Sequence, residues 1–422
     1  MAWTEESDAF LARGEDAPMI QDGTQDAVDK TRTPEVAVAR CPDYDRERVL
    51  AAVRKSVDSL GGIRRFVTSG ERILIKPNML SAKAPEEAVT THPEVLRAVI
   101  KLVKECGAIP IVGDSPSGPS TERILRRLAQ KTGVQRVCDE ERVEFTLFDE
   151  SFTVSFPNGV AAKSFELTTA LKQVSGVVSV AKMKTHTFTV LTGAVKNLFG
   201  LIPGLKKAEY HFRMQKRAAF SEMLVDLAEC VKPRLTIMDA VVGMEGDGPA
   251  GGNLRHIGLI LSSANVHALD SVFLALTGAE PAAVPSVATA MRRGLAPADP
   301  NAIRIVGEPE AATKLKGFKM PSTAKAYGGI PSALGKVAGE IVSKKPVYVA
   351  KRCTRCNACV EICYAQALTL GEKKPRIDRN KCIRCYCCQE VCPASAVLLK
   401  RRPARSVGTI ARHGISRVGK RT

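Results

Sequence analysis

ERILIKPN, residues 71–78, is an apolar run that stops at a Pro-Asn pair, and a similar run, IPIVGDS, follows at residues 109–115. Between them, EVLRAVIKLVKECG (94–107) repeats its apolar positions at helical spacing and stops at a glycine. This order of strand, helix and strand predicts a crossover unit of a parallel sheet. The alternation continues to about residue 308. We therefore predict an α/β fold: a mostly parallel sheet with flanking helices.

Polar side chains gather where the predicted strands end, which is where parallel sheets bind ligands. Lysines at these ends suit phosphate or carboxylate groups, and histidines suit acid–base chemistry near neutral pH. The predicted catalytic side chains are His186, Lys184, His92 and Asp114. The predicted substrate-binding side chains are Lys76, Asn78, Lys182, Lys196, Asn197 and Asp247.

Other polar residues have a plainer interpretation. Lys206, Lys207 and His211 suit the exposed surface of a helix, and for Asp270 a structural role in a helix is equally compatible with the sequence. The chain has no nucleophile elbow, no HExxH motif, and neither a P-loop nor a dinucleotide fingerprint. The motifs alone therefore do not name a reaction.

Cysteine is concentrated at one end, since only four of the 13 cysteines fall in the first 340 residues. Two runs with C-x2-C-x2-C-x3-C spacing repeat 29 residues apart. The first run is Cys353, Cys356, Cys359 and Cys363, and the second is Cys382, Cys385, Cys388 and Cys392. This duplication resembles the bacterial-type two-cluster ferredoxins, in which the fourth cysteine of each run binds the other cluster. A small α+β ferredoxin-like domain at the C-terminus is the implied fold.

The resemblance implies two 4Fe–4S clusters. One would be held by Cys353, Cys356, Cys359 and Cys392, and the other by Cys382, Cys385, Cys388 and Cys363. Zinc competes for paired C-x2-C motifs, but eight cysteines in two four-cysteine runs favour iron and sulfur. Cys387 fits neither spacing, so we interpret it as a non-ligand. Tyr364 stands where these ferredoxins usually carry proline, which leaves the ligand set intact.

The body of the chain resembles a second family. The matching motifs are KPN (76–78), THP (91–93), GDSPSG (113–118), the stretch 180–204 and MDAVVGMEGDGP (238–249). Over about residues 36–310 they resemble domain-of-unknown-function family 362, many of whose members carry a ferredoxin segment at one end. This resemblance brings no settled reaction with it.

The predicted domains are a disordered acidic extension at 1–34, an α/β domain at 35–308, a linker at 309–348, a two-cluster ferredoxin domain at 349–400 and a basic tail at 401–422. The net charge of +18 is concentrated at the C-terminal end, where residues 343–422 hold 19 Lys and Arg against 4 Asp and Glu. This region suits a soluble acidic electron donor or acceptor of the ferredoxin or flavodoxin type, and its tail suits contact with a membrane surface. An aromatic content of 5% disfavours nucleic acid.

We predict an iron–sulfur oxidoreductase that relays single electrons through the two clusters to an anionic substrate, or to a bound cofactor, in the α/β domain. A flavin is compatible with this hypothesis, although no motif supports it. Two alternatives stay open: an electron-transfer accessory protein that docks on a separate enzyme, and a non-redox isomerase or transferase with structural clusters. With no signal peptide and no long apolar stretch in the sequence, we expect a cytoplasmic location.

Overall fold

The computed structural model describes residues 33–324 and 344–400. The predicted basic tail (401–422) lies outside these ranges, as does the predicted acidic extension apart from its last two residues. Within them the chain forms an α/β body followed by a small cysteine-rich module. In the described part of the chain, no helix is both long and apolar enough to cross a membrane.

A large, mostly parallel sheet forms the centre of the body. The strands of the body are β1 Glu35–Arg40, β2 Arg72–Lys76, β3 Ile109–Val112, β4 Glu144–Phe145, β5 Ser151–Ser155, β6 Ser164–Thr168, β7 Gly176–His186, β8 Val190–Leu191, β9 Leu235–Glu245, β10 Asn253–Ser263 and β11 Arg304–Gly307. The sheet order is β11-β1-β10-β9-β7-β2-β3-β4, with β8 paired to the end of β7 and β5 and β6 forming a separate hairpin. Along this path only β10 runs antiparallel to its neighbours. The predicted fold class is confirmed.

Helices cover both faces of the sheet. They are α1 Arg46–Asp58, α2 Pro93–Glu105, α3 Glu122–Lys131, α4 Val134–Glu141, α5 Gly193–Asn197, α6 Lys206–Arg213, α7 Arg217–Val231, α8 Val266–Thr277 and α9 Pro285–Arg292. Successive residues of a strand point to opposite faces, and accordingly Ile73 and Ile75 of β2 join one apolar layer while Leu74 joins the other. Helices α1–α4 contribute to the first layer, and α5, α7 and α8 to the second. Burial on both faces explains why the strand sequences are continuous apolar runs.

Residues 309–324, predicted as part of a linker, are held on the body by hydrogen bonds. Leu315 N donates to Leu276 O at 2.7 Å, Gly246 N donates to Lys319 O at 2.6 Å, and Thr323 Oγ1 donates to Thr187 O at 2.7 Å. The segment is irregular, and irregular segments leave no periodic signal in a sequence. Residues 325–343 of the predicted linker lie outside the described ranges.

The cysteine module is a structural duplication. Its strands and helices are β12 Lys345–Tyr348, β13 Leu368–Thr369, β14 Arg376–Ile377, β15 Val397–Lys400, α10 Ala358–Glu361 and α11 Cys387–Glu390. Tyr348 pairs with Val397, and the residues 29 positions after Tyr348 and before Val397, Ile377 and Leu368, pair with each other. The module thus begins at β12, before the predicted boundary at residue 349. Sequence analysis did not predict this strand, because KPVY is short and contains a proline.

The buried Arg97 gives the first prediction. Its guanidinium, 2% exposed, contacts Glu94, Glu140 and Glu141 and so ties α2 to α4. We expect Arg97→Met to lower the free energy of unfolding by about 3 kcal/mol, because it removes the buried cation shared by the two helices and leaves Glu141, 15% exposed, without an ion pair among the described residues. Denaturant unfolding followed by circular dichroism measures this.

The matched control is Arg126→Met on α3. Arg126 is 56% exposed and pairs only with Glu122 in the described structure, so we expect a loss below about 1 kcal/mol. Equal losses in the two variants would contradict the structural role of Arg97.

Candidate functional site

The sheet brings most of the predicted site residues together at the carboxyl ends of β2, β3, β7 and β9. Lys182, Lys184 and His186 alternate along β7, so their side chains share one face of the strand. Lys182 lies directly opposite Asp239 in the register between β7 and β9. Lys76 ends β2, next to the amino-terminal half of β7. All five side chains are buried.

Lys76 and Asp114 form a buried ion pair. Lys76 Nζ lies 2.8 Å from Asp114 Oδ1, and Asp114 Oδ2 accepts a hydrogen bond of 2.7 Å from Met79 N. Gly200 lies against this pair, and a Cβ there would collide with both side chains. Burial lowers the pKa of Lys76, and the neighbouring Asp114 opposes that shift. The pair thus satisfies its own charges.

Lys182 and Asp239 form a second buried pair with Tyr44. Lys182 Nζ lies 2.7 Å from Asp239 Oδ2 and donates to Tyr44 OH at 2.8 Å, and Tyr44 OH donates to Asp239 Oδ1 at 2.9 Å. His92 stacks on Tyr44 at 3.6 Å, and its Nδ1 caps α2 by accepting from Glu94 N. Burial lowers the pKa of His92 to about 4. The structure therefore gives His92 a capping position next to the second pair.

Lys184 is buried without a carboxylate in contact. Its Nζ donates to Asn78 Oδ1 at 2.8 Å and to Val89 O, and burial together with neighbouring Lys196 lowers its pKa well below the ordinary value. Asn78 Nδ2 donates to Asn197 Oδ1 at 2.9 Å, and Asn197 Nδ2 donates to Ser179 Oγ at 2.9 Å. The two asparagines connect Lys184 to the rest of the network.

The cysteine module contacts this network through Glu390, the last residue of α11. Glu390 Oε1 lies 3.1 Å from His186 Nε2, and Oε2 accepts from Ser117 Oγ at 2.9 Å. His186 Nδ1 accepts from Phe188 N at 3.0 Å, which places the proton of the neutral ring on Nε2, facing Glu390. Burial and nearby Lys196 lower the pKa of His186 to about 4. Burial opposes the charge of Glu390, yet His186 and Lys196 hold its pKa well below the usual range.

Lys196 and His211 at this junction each have a side-chain nitrogen without a hydrogen-bond partner among the described residues. Lys196 Nζ lies 5.2 Å from the centre of the Phe199 ring, and no hydrogen bond or ion pair to it is found in residues 33–324 and 344–400. His211 is 2% exposed, and its Nδ1 has no partner among the described residues. Burial lowers the pKa of Lys196 and lowers that of His211 to about 3. Buried polar groups without partners mark positions where a water, ion or ligand binds.

The structure places several other residues differently from the sequence-based expectations. Lys207 and His211 are buried, not on an exposed helix surface, and Lys207 Nζ donates to Ser115 O at 3.2 Å and to Pro116 O at 3.0 Å. Asp247, predicted to bind substrate, accepts from Ser322 Oγ at 3.0 Å and pairs with Lys344. It joins the body to the start of the module and does not take part in the contacts of Lys182 or Lys184.

Asp270 has a structural position at the start of α5. Its carboxylate accepts from Ala194 N at 2.6 Å and from Val195 N at 3.1 Å. Burial raises the pKa of Asp270 to about 7. Because α5 carries Lys196 and Asn197, this contact fixes the helix that presents both residues.

The donor set and backbone of the module fit iron–sulfur clusters. A small cavity is lined by the thiol-bearing residues Cys353, Cys356, Cys359 and Cys392. Both loops have left-handed backbone at equivalent positions, Arg355 and Asn357 in the first and Arg384 and Tyr386 in the second. In both halves the fourth cysteine accepts from the backbone N–H four residues later, as in Ala396 N to Cys392 Sγ at 3.2 Å.

The other proposed ligand cysteines also lie near one another, since Cys382 and Cys385 influence the pKa of Cys388. Cys363, Cys382 and Cys385 lie close enough to influence one another electrostatically, whereas Cys387 packs with Ala208 and Ile362 at the junction with the body. Within the described ranges, no three His, Cys, Asp or Glu side chains converge as ligands of one metal ion. A 4Fe–4S cube spreads its thiolates over four iron atoms, so its ligands do not converge on one metal ion.

The fold and the module define an α/β protein with an iron–sulfur domain, and comparison with known proteins agrees. The 4Fe–4S dicluster domain family matches residues 338–399. The domain of unknown function DUF362 matches residues 73–275. The chain is 35% identical over 271 residues to the thylakoid-associated protein sll1697 of Synechocystis sp., covering 62% of this chain and 80% of that protein. The chain belongs to the DUF362 family.

A solved structure aligns with part of this chain. The lactate racemase apoprotein from Thermoanaerobacterium thermosaccharolyticum aligns with a TM-score of 0.37 at 13% identity. The alignment covers 57% of this chain and 57% of that chain. A likeness at this level carries no functional argument.

Among the residues that contact the predicted site, sequence reasoning missed Tyr44, Ser117 and Glu390. Ser117 lies within the GDSPSG motif, so the motif itself was the available signal. Glu390 lies in the cysteine run, and its counterpart in the first half, Glu361, is exposed. Tyr44 lies in an irregular segment before α1 and carries no local signal.

Lys207 gives the second prediction. Burial lowers its pKa from 10.5 to about 7 in the folded protein. Between these values the unfolded chain binds a proton that the folded chain does not bind, so this group makes the free energy of unfolding rise with pH. Lys207→Met should remove that rise, which amounts to a few kcal/mol at most, at about 1.4 kcal/mol per pKa unit.

The measurement is anaerobic denaturant unfolding at pH 7.0 and 9.5. Lys206→Met is the matched control, because Lys206 is 42% exposed and pairs with Glu166. We expect the control to keep the pH dependence of the original chain. The same pH dependence in both variants would show that Lys207 keeps its ordinary pKa.

Proposed function

We propose that this protein is an iron–sulfur oxidoreductase that relays single electrons through two 4Fe–4S clusters to an anionic small molecule. The substrate binds where α11 meets the carboxyl edge of the sheet. Bound clusters supply one-electron transfer. The proposed ligands of one cluster are Cys353, Cys356, Cys359 and Cys392, and those of the other are Cys382, Cys385, Cys388 and Cys363.

The contact between Glu390 and His186 carries the proposal. Glu390 lies two residues after Cys388 and two before Cys392, so the loop that binds iron also contacts the charged edge of the sheet. Both side chains are buried. An electron held by the module would therefore lie next to the polar network of the body, without crossing solvent.

The charge of the network supports an anionic substrate. Five lysines, Lys76, Lys182, Lys184, Lys196 and Lys207, lie among three carboxylates, Asp114, Asp239 and Glu390. Asp114 and Asp239 neutralise Lys76 and Lys182, whereas Lys184, Lys196 and Lys207 make no ion pair among the described residues. A phosphate or carboxylate group bound beside these three amines would favour their protonated forms. Lys196 and His211 have nitrogen atoms without partners among the described residues, on the side of the module. A bound ligand would supply the missing hydrogen-bond partners.

The proposed roles of the individual residues follow from their contacts. His186 stays neutral at pH 7 and presents its Nε2 proton toward Glu390, which suits hydrogen bonding and proton transfer at the junction. Burial lowers the pKa of Lys184, and no carboxylate among the described residues pairs with it, which suits proton exchange with a bound ligand. Asp114 is proposed to hold Lys76 in place, and His92 to stabilise the Tyr44 and Asp239 pair.

A second candidate function, an electron-transfer accessory protein, is favoured by a different observation. The Lys76–Asp114 and Lys182–Asp239 ion pairs are fully buried, and within each pair the carboxylate neutralises the ammonium group. In this alternative the network anchors the module to the body, and electrons leave for a separate enzyme.

The experiment that separates them is an anaerobic reductive titration of the reconstituted chain, followed by electron paramagnetic resonance. Each 4Fe–4S cluster takes up one electron. Uptake beyond the measured cluster content, in the protein as isolated, supports a redox-active molecule at the junction. The contrary result has two parts: electron uptake equals the cluster content, and no member of a panel of small carboxylates and phosphate esters reoxidises the reduced protein. This result would contradict the oxidoreductase proposal and leave the accessory function.

Glu390→Gln gives the third prediction. Removing a buried negative charge beside a cluster favours the reduced, more negative cluster, so its reduction potential should rise on the order of tens of millivolts. Redox titration monitored by electron paramagnetic resonance measures the potentials of both clusters.

Glu361→Gln is the matched control, because Glu361 occupies the equivalent position of the first half and is exposed. We expect the control to change either potential only slightly, since solvent screens its charge. Equal shifts in the two variants would mean that Glu390 has no special coupling to a cluster.

A further inference from the structure

A basic cleft of about 440 Å³ opens on the surface of the cysteine module. One side is formed by residues 346–348 of β12, and the other by residues 372–377 and Arg379. Its charged lining residues are Glu372, Lys373, Lys374, Arg376 and Arg379. Four cations against one carboxylate make the cleft positive, and all five side chains are exposed.

The cations of the cleft differ from the ion-paired cations of the body. Arg54, Arg97 and Arg234 each pair with a carboxylate of their own domain. In the described part of the chain, Lys373, Arg376 and Arg379 take part in no ion pair, and Lys374 bonds only the carbonyl of Tyr348, at 3.1 Å. Charges left unpaired on a concave surface are available to an acidic partner.

The cleft lies next to one of the two cysteine clusters. Tyr348 and Pro375 line both the cleft and the small cavity that contains Cys353, Cys356, Cys359 and Cys392. Cys356 is itself exposed. The contact with the sheet edge is made by Glu390 in the other half of the duplication. The two halves therefore face different surroundings: the first faces solvent through a basic cleft, and the second faces the buried network.

We propose that this cleft is the docking surface for an acidic one-electron carrier protein, which reduces the cluster of the first half. The carrier loses one electron, that cluster gains it, and no bond forms or breaks. The inference rests on the proposed function for the onward path of the electron, whereas docking depends only on the cleft. A concave, cationic surface without an exposed aromatic ring suits acidic side chains of a protein, and offers no stacking platform for bases.

The test uses the full chain loaded with clusters and an oxidised acidic plant-type ferredoxin as the probe, so that binding is measured without electron transfer. Titration calorimetry gives Kd at low and at high salt. We expect Lys373→Glu combined with Arg376→Glu to weaken binding about tenfold at low salt, because like charges then face each other across the interface. Binding by the original chain should weaken as salt increases.

Arg127→Glu combined with Lys131→Glu is the matched control, since it makes the same change of charge on the exposed side of α3. We expect its Kd to stay within about twofold of the original, given the screening of distant surface charges. The stopped-flow rate of cluster reduction by the reduced ferredoxin should fall in the cleft variant, and reduction by dithionite should not.

Three outcomes would overturn the proposal: no binding of the ferredoxin by the original chain, equal Kd values for the cleft and control variants, or a cleft variant that loses binding only to vesicles containing anionic lipid. The last outcome would assign the cleft to a membrane surface. Normal reduction by dithionite in the cleft variant keeps a failure of docking distinct from a failure of the oxidoreductase proposal, which the reductive titration tests separately.

Discussion

The centre of this protein is organised around buried ammonium groups, each of which requires a hydrogen-bond acceptor or a counter-ion. Lys76, Lys182 and Lys184 end on the same edge of the sheet and are excluded from water. An isolated charge there would cost many kcal/mol, so each must be paired or lose its proton. Asp114, just after β3, and Asp239 on β9 pair with two of them. The third donates hydrogen bonds to an asparagine and a backbone carbonyl. These contacts fix the positions of the neighbouring strand ends relative to one another.

The same requirement connects the body to the module. His186, the last residue of β7, meets Glu390 of α11, and Ser117 from the loop after β3 donates to the same carboxylate. Glu390 thus joins two strand ends to the second half of an internal duplication, while Glu361 at the equivalent position of the first half is exposed. The two halves have similar sequences, but only the second half contacts the sheet edge through this glutamate. One half faces the network, and the other keeps an open basic cleft.

The parts of the fold that depend on local pattern were predictable from the sequence. β2 and β3 follow from ERILIKPN and IPIVGDS, because continuous apolar runs mark strands buried on both faces. The duplication of the cysteine runs was equally plain. The antiparallel direction of β10 was not predictable, because RHIGLILSS has the same apolar character in either direction. The hairpin of β5 and β6 was missed because its strands are only partly apolar.

The candidate site was predictable in composition but not in geometry. The common face of Lys182, Lys184 and His186 follows from their spacing, because alternate residues of a strand share a face. The burial of Glu390, Lys207 and His211 depends on long-range packing that local sequence does not encode, as the exposed Glu361 in an equivalent context demonstrates. Asp247 was grouped with the lysines because it follows β9 closely, yet the chain turns there toward Ser322 and Lys344.

The most direct test of the account is the iron anomalous diffraction of crystals of the cluster-loaded chain. The account predicts two compact iron sites within the module, one of them held by Cys382, Cys385, Cys388 and Cys363 beside α11, with Glu390 in contact with His186. A single iron site, sites held by other residues, or a module whose Glu390 faces solvent would contradict the central claim that electrons are delivered inside the chain to the charged edge of the sheet.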